Sequence, residues 1–374
     1  MYLWERKGWP SLVWDDRILS RLLSTASREQ GRVLGRMEAL GFELRDEANL
    51  RTLTEDAVKS SEIEGERLEP EQVRSSIARR LGMNIGGLVP SDRNTEGIVD
   101  MMLDATGRYD QPLTEERLFA WHASLFPTAQ SGMRRILAGR WRDDRDGPMQ
   151  VIAGAVGHET VHYEAPPAKR LPDEMAAFLN WFEQPYSFDP LLKAALAHLW
   201  FVTIHPFDDG NGRIARAISD MALSRSESSR QRFYSMSAQI RRERKEYYST
   251  LESVQKGELD VTRWQEWFLE CLLRAIKGSN DTLGAVLGKA TCWERFAKEP
   301  LNERQISVLN TLLDGFEGKL TTSKWAKLTG CSQDTAYRDI LDLVERGALI
   351  KSEDGGRSTS YALTSQLPAS RSSN

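Results

Sequence analysis

Apolar residues return every three or four positions over residues 15–53 (Ile18, Leu22, Leu23, Val33, Leu34, Met37, Leu40), and the period continues from Leu53 to Ile63 until Gly65 stops it. This pattern predicts an all-helical N-terminal region. Gly82, Gly86, Gly87, Pro90 and Ser91 mark a loop, after which helical spacing resumes over residues 95–109 and 113–126. Between Gly147 and Pro167 the texture changes, with Val151, Ile152, Val156, Thr160, Val161 and Tyr163 set among Gly154, Gly157, Pro166 and Pro167. One short β-hairpin is predicted there. Helices are expected again over 173–182, 190–204, 213–224, 241–255 and 261–276, and a helical connector near 283–300. The richest apolar stretch, 191–207, is broken by Lys193, His198 and His205, which marks a buried helix and not a membrane span.

The last seventy or so residues have another rhythm. Helices are predicted over 303–314, 322–328 and 332–346, then two short strands within 349–362 that turn at Asp354, Gly355 and Gly356. With a turn at Thr329, Gly330 and Cys331, this order predicts a winged helix-turn-helix. The chain is therefore read as mainly α, with a helical N-terminal region (1–90), a central domain (91–280), a connector (281–300), the winged helix (301–365) and a frayed tail (366–374).

Composition narrows the classes. Hydrophobic residues make up 40% and charged residues 28% of the 374 positions, which excludes a disordered or fibrous chain. Fifty Lys and Arg face 54 Asp and Glu, so any anion binding is local. Residues 301–374 carry nine basic and nine acidic residues, and the recognition helix offers Asp334 and Asp339 beside Ser332, Gln333, Thr335, Tyr337 and Arg338. A protein partner is favoured over DNA on that balance. Three separated cysteines form neither a disulfide framework nor a zinc cage. With no signal-peptide core in the first ten residues, a cytoplasmic location is expected and no membrane partner.

The densest chemistry lies in His205-Pro206-Phe207-Asp208-Asp209-Gly210-Asn211-Gly212-Arg213-Ile214-Ala215-Arg216. Pro206 ends the apolar helix, the Gly-Asn-Gly run exposes amides, and the next helix starts with free N–H groups that favour an anion. Arg213 and Arg216, three apart, share one helix face and can grip neighbouring phosphates. Asp209 can hold a hard divalent cation, and His205 is the base nearest neutrality. An EF-hand is excluded: with Gly212 or Gly210 sixth in the loop, Ile218 or Arg216 stands where a Glu is required. No Gly-Lys-Ser/Thr triplet of a P-loop occurs.

This segment resembles the Fic signature, His-Pro-Phe-x-Asp/Glu-Gly-Asn-Gly-Arg-x-x-Arg, at every defined position. The resemblance implies a Fic-type helical core with a β-hairpin flap, and an enzyme moving AMP from ATP onto a hydroxyl of a target protein. It implies His205 as the base, Asp209 as the Mg²⁺ ligand, and Asn211 with the Gly210 and Gly212 amides around the α-phosphate. Arg213 would meet the β-phosphate, Arg216 the γ-phosphate, and Tyr248 and Gln255 would lie toward the adenine end. Ser60-Ser61-Glu62-Ile63-Glu64-Gly65 resembles the family's inhibitory pattern through Ser60, Glu64 and Gly65. Ser60 and Glu64 share a helix face, so Glu64 would pair with Arg216 and hold off the γ-phosphate. The resemblance further implies a Ser-, Thr- or Tyr-bearing target, which includes the chain itself, and a homodimer.

His158-Glu159-Thr160-Val161-His162 satisfies the zinc-peptidase pattern H-E-x-x-H, but its flanks read as strand, along which four residues span roughly 13 Å, too far for one zinc. By the Fic resemblance this hairpin is the flap that pins the target segment, with Val161, His162, Tyr163 and Glu164 at its inner edge. Phe207, His122 and His198 are read as core. The alternatives to AMP transfer are AMP removal or another nucleotide-linked transfer, an ATP-sensing transcriptional regulator, and a zinc metallopeptidase.

Overall fold

The computed structural model of the chain describes residues 1–83, 87–153, 160–185, 188–296, 301–313, 316, 318–352 and 359–364. It divides into two compact units, one of Met1–Leu40, Asn49–Asn84 and Leu88–Ser279, the other of Gly41–Ala48, Ile85–Gly87 and Asn280–Asn374. Helices dominate, and among the described residues the strands form small antiparallel sheets. No helix among these residues is long and apolar enough to cross a membrane.

The periodic N-terminal stretch forms α1 (Asp16–Glu38) and α2 (Phe42–Ile63). Asp15 caps α1 by accepting a hydrogen bond from the Arg17 N–H at 2.9 Å. A helix absent from the sequence reading follows, α3 (Pro70–Arg80), whose large buried side chains are only Val73 and Ile77, too few to make a visible period. Then come α4 (Arg93–Gly107), capped by Asp92, and α5 (Glu115–Leu125), capped by Thr114. Next, β1 (Gln130–Ser131) pairs with β2 (Arg134–Arg135) in strands of two residues, too short to alternate. The hairpin expected from the sequence is β3 (Gln150–Ala153) paired with β4 (Thr160–Glu164), its register shifting between Val151 and Ile152. Its connection, with His158 and Glu159, lies outside the described residues.

After α6 (Leu171–Glu183) the chain enters α7 (Pro190–Ile204), buried at every position from Leu191 to Ile204. Its polar members are satisfied: Lys193 Nζ donates to the Gln184 carbonyl at 2.7 Å, and His198 lies 3.2 Å from Ser219 Oγ and 3.0 Å from the Tyr247 hydroxyl. α8 (Asn211–Glu227) packs along α7. The single helix expected over 241–255 is two, α9 (Met236–Arg242) and α10 (Arg244–Gln255), because Glu243 leaves helical geometry at φ −104° and ψ 24°. Conversely α11 (Thr262–Phe296) is one helix of 35 residues where two pieces were expected. Gly278, Ser279 and Asn280 are weak helix formers, but adding a residue to an existing helix is easier than starting a new one. Trp264 is fully buried and its indole N–H donates to the Ala195 carbonyl at 2.7 Å.

In the second unit α12 (Glu303–Leu313), α13 (Thr322–Thr329) and α14 (Gln333–Glu345) enclose Val308, Leu309, Trp325, Ile340 and Leu343. Gly330, at φ +63°, ends α13, and Ser332 caps α14. Here β5 (Leu320–Thr321), β6 (Leu349–Lys351) and β7 (Ser360–Leu363) form a sheet in the order β5–β7–β6; the two-residue β5 was not read from the sequence. Asp339 is not on an outer face as expected. It is 6% exposed and accepts two bonds from Arg304, at 2.7 and 3.1 Å. The turn at Asp354, Gly355 and Gly356 and the tail lie outside the described residues.

Candidate active site

The loop between α7 and α8 is shaped by its own sequence. A residue ahead of proline avoids the helical region, and His205 takes the left-handed conformation (φ 51°, ψ 59°). Gly210 opens α8 at φ +78°, where an added Cβ would lie 2.9 Å from the Phe126 ring. Asn211, 2% exposed, accepts from the Phe207 N–H at 3.0 Å and donates to the Phe207 carbonyl at 2.8 Å. Its amide thus serves the loop's backbone, and what it offers an anion is the shape of the cradle. Phe207 is fully buried and stacks on His122 with centroids 4.1 Å apart. His122 Nδ1 accepts from the Gly139 N–H at 3.0 Å, so its Nε2–H donates to the Asp209 carbonyl at 3.2 Å.

His205 Nδ1 lies 3.3 Å from the Val202 carbonyl. A carbonyl only accepts, so Nδ1 carries the proton and Nε2 keeps its lone pair. Burial pushes the ring's pKa down to about 4, and the charge of Arg142 acts the same way. The imidazole is therefore neutral near pH 7 and able to take a proton. Arg142 is the hub behind it. Its side chain is fully buried, its Nε donates to the His205 carbonyl at 2.8 Å, its backbone N–H to the Pro206 carbonyl at 3.0 Å, and Nη2 to the Pro166 carbonyl at 2.6 Å. Nη1 pairs with Asp144 at 3.1 Å, and Asp144 accepts from the Ala168 N–H at 2.7 Å. One guanidinium ties His205 to the end of the hairpin.

Arg213 and Arg216 sit on the first two turns of α8, with side chains 4% and 2% exposed. Each meets a carboxylate. Arg216 Nη2 donates to Glu64 Oε1 at 2.8 Å and to the Ser60 carbonyl at 2.9 Å, and Nε donates to Ser60 Oγ at 2.9 Å. Arg213 Nη1 donates to Glu66 Oε2 at 2.6 Å. Glu64 lies so close over the start of α8 that a Cβ at Gly212 would be 2.2 Å from its Oε1. The bare Cα of Gly212 leaves the room in which Glu64 meets Arg216. Among the described residues, Arg213 Nε and Arg216 Nη1 are buried without a hydrogen-bond partner. Such donors are costly to leave unmade, and a larger anion with several oxygens would satisfy them.

Asp209 Oδ1 accepts from the Gly210 N–H at 2.5 Å, and Oδ2 accepts from Ser131 of β1. One hard carboxylate beside an anion seat fits Mg²⁺ that draws its other ligands from phosphate and water. Tyr248 is half-buried on α10, with Arg244 5.0 Å above its ring and Glu64 and Arg216 acting on its hydroxyl. Gln255 is 4% exposed, its amide reaching toward the Val202 carbonyl and Thr203 Oγ1 at 3.4 Å each. Along β4, Val161 is exposed, His162 Nδ1 lies 2.9 Å from Glu252, and Glu164 accepts from Gln150 at 2.8 Å. Tyr163 is 2% exposed and donates to the Thr203 carbonyl at 2.5 Å, so it seats the hairpin on α7 and presents no side chain at an edge.

Glu66, Arg142 and Ser131 escaped the sequence reading. Only Glu66 had a signal there, an acidic residue two past Glu64 beyond a helix-ending glycine.

The helical scaffold thus brings together a neutral histidine, an amide-lined helix start and two buried arginines. Residues 112–223 match the model of the Fic/DOC family, and residues 2–83 match a domain of unknown function, DUF4172. The chain carries a Fic/DOC family domain. It is 33% identical over 126 residues, 30% of its length and 21% of the relative's, to the uridine 5'-monophosphate transferase of Xanthomonas campestris pv. campestris. It is 30% identical over 118 residues, 30% of its length and 22% of the relative's, to protein adenylyltransferase fic-1 of Caenorhabditis elegans. The matched stretch thus spans about a fifth of these relatives. A Fic family protein from Desulfovibrio desulfuricans G20 has the same fold, with a TM-score of 0.52 at 22% identity, over 93% of this chain and 97% of that one.

Proposed function

We propose that this chain is a protein adenylyltransferase that is held off by Glu64. The observation that carries the reading is the joint placement of a neutral His205 with a free Nε2, the amide-lined start of α8, and Arg216 plugged by a carboxylate from α2. His205 Nε2 takes the proton of a Ser, Thr or Tyr hydroxyl as that oxygen bonds to the α-phosphorus of ATP, and the bond to the β-phosphate oxygen breaks to release pyrophosphate. Arg213 and Arg216 hold the second and third phosphates, and α8 supplies amides and dipole to the charge on the first. Asp209 would hold Mg²⁺, which supplies charge neutralisation for the departing pyrophosphate. In the closed state Glu64 takes the third phosphate's partner and sets a like charge in its seat. Residues 1–90 act as the brake, 91–280 as the transferase core, and 301–365 as a winged helix that contacts protein, either a target or a second copy, in the cytoplasm.

The 33% identical uridine 5'-monophosphate transferase favours one second reading, transfer of UMP. Incubating the native chain, Glu64→Gly and His205→Ala with ATP or UTP, each labelled at the α-phosphate, distinguishes them. AMP labelling that rises in Glu64→Gly and vanishes in His205→Ala supports the proposal, while preferential UMP labelling replaces it with the second reading.

A further inference from the structure

Two carboxylates, not one, stand in the phosphate seat, and they arrive by different routes. Glu64 follows directly on α2 and shares Arg216 with Ser60, so it is fixed in the frame of that helix. Glu66 lies beyond Gly65, which turns the chain at φ +86°, and its side chain is 45% exposed. Its backbone N–H ties it to the preceding helix by donating to the Ser61 carbonyl at 3.0 Å. Its carboxylate reaches Arg213 at 2.6 Å.

Arg213 is no surface arginine. Its side chain is 4% exposed, its guanidinium lies 5.0 Å over the Phe126 ring, and its Nε has no hydrogen-bond partner. A guanidinium taken this far from water needs an anion, and in the closed chain Glu66 supplies it. A phosphate bound to Arg213 has to displace that carboxylate. A phosphate bound only to the loop amides does not.

Resting on the reading of this loop as a nucleotide seat, we infer that Glu66 is a second and separable selector, one that sorts ligands by whether they carry a β-phosphate. Glu66 then competes with di- and triphosphates alike, whereas Glu64 competes with triphosphates alone. The two carboxylates repel each other, so removing either does not expel the other. A chain freed of Glu64 still carries Glu66 on Arg213, and its affinity for ATP stays below the open value. The selection is a competition: the apparent dissociation constant is the intrinsic one divided by the fraction of chains in which Arg213 is free.

Calorimetric titration with AMP, ADP and ATP, each with excess Mg²⁺, tests this on the full chain and on Glu66→Gln, Glu66→Ala, Glu64→Gln and the double Glu64→Gln/Glu66→Gln. The expected result is that both Glu66 variants tighten ADP and ATP about three- to tenfold, as for a half-screened pair, and leave AMP within about twofold. Glu64→Gln tightens ATP only, and the double variant binds ATP more tightly than either single. ADP affinity unmoved by both Glu66 variants, or AMP gaining as much as ADP, overturns the inference while AMP binding leaves the nucleotide seat standing. No nucleotide bound by any of the five proteins overturns the seat itself, and the inference with it.

Discussion

Glu64→Gln separates the charge of the side chain proposed as the brake from its shape, and the structure sets its cost. Arg216 is 2% exposed and keeps both bonds to Ser60, but loses the charged partner at 2.8 Å. A hydrogen bond to a charged group contributes about 1.5–3 kcal/mol, and stranding a buried charge costs more. Glu64 is 26% exposed, and glutamine still offers an oxygen, so the net loss is about 1–2 kcal/mol. For a unit of this size that lowers Tm by roughly 2–4 °C. Saturating ATP with Mg²⁺ should return most of it, because the third phosphate becomes the partner Arg216 lost, and a tenfold tighter ligand adds about 1.4 kcal/mol. Scanning calorimetry of wild type and variant, with and without nucleotide, reads both quantities. A variant as stable as wild type, or one whose Tm gains no more from ATP than wild type does, refutes the reasoning.

Further outcomes follow from other contacts. Arg142 ties the His205 carbonyl to Pro166, so Arg142→Gln and Arg142→Lys should each lower kcat about a hundredfold while KM for ATP changes little, and steady-state rates unaltered in both variants would remove Arg142 from the account. Burial holds His122 and His205 at pKa values of about 4 and His198 at about 3, all below the ordinary 6.5. The unfolded chain therefore binds more protons in that window, so their contribution to stability is complete above about pH 6.5 and is lost as pH falls toward 4. Asp220 and Glu227, pushed up by burial, act in the opposite sense, so the clean readout is a difference. His198→Gln should flatten the slope of stability against pH by about one proton, and an identical slope would contradict the assignment. The second unit should show no tight, sequence-selective DNA binding by fluorescence anisotropy at physiological salt, and such binding lost on deletion of residues 301–374 would make the winged helix a DNA reader.

Local patterns made the loop legible. Pro206, two glycines and two arginines three apart define a helix start by themselves, and the spacing from Ser60 to Glu64 to Gly65 places a carboxylate at a helix end. The burial of α7 was equally plain, since its apolar run exceeds what one helix face needs. Arg142 was not legible, because its meaning lies in three carbonyls 24 to 64 positions away. Glu66 looked like an ordinary acidic residue until the turn at Gly65 brought it to Arg213. Asn211 carries a donor and an acceptor, and only the fold decides that both serve Phe207. The break at Glu243 and the continuity of α11 likewise depend on packing and helix propagation, which composition does not encode.

The central claim is that His205 is the base of a nucleotidyl transfer that Glu64 restrains. The most direct measurement is the initial rate at which α-phosphate-labelled ATP marks protein, compared for Glu64→Gly and for Glu64→Gly/His205→Ala, with ATP binding measured on both. The expected result is a rate above wild type in the single variant and a loss of about 10²–10⁴-fold in the double variant at unchanged ATP affinity. Equal labelling by the two variants, or labelling in Glu64→Gly no higher than in wild type, would contradict it.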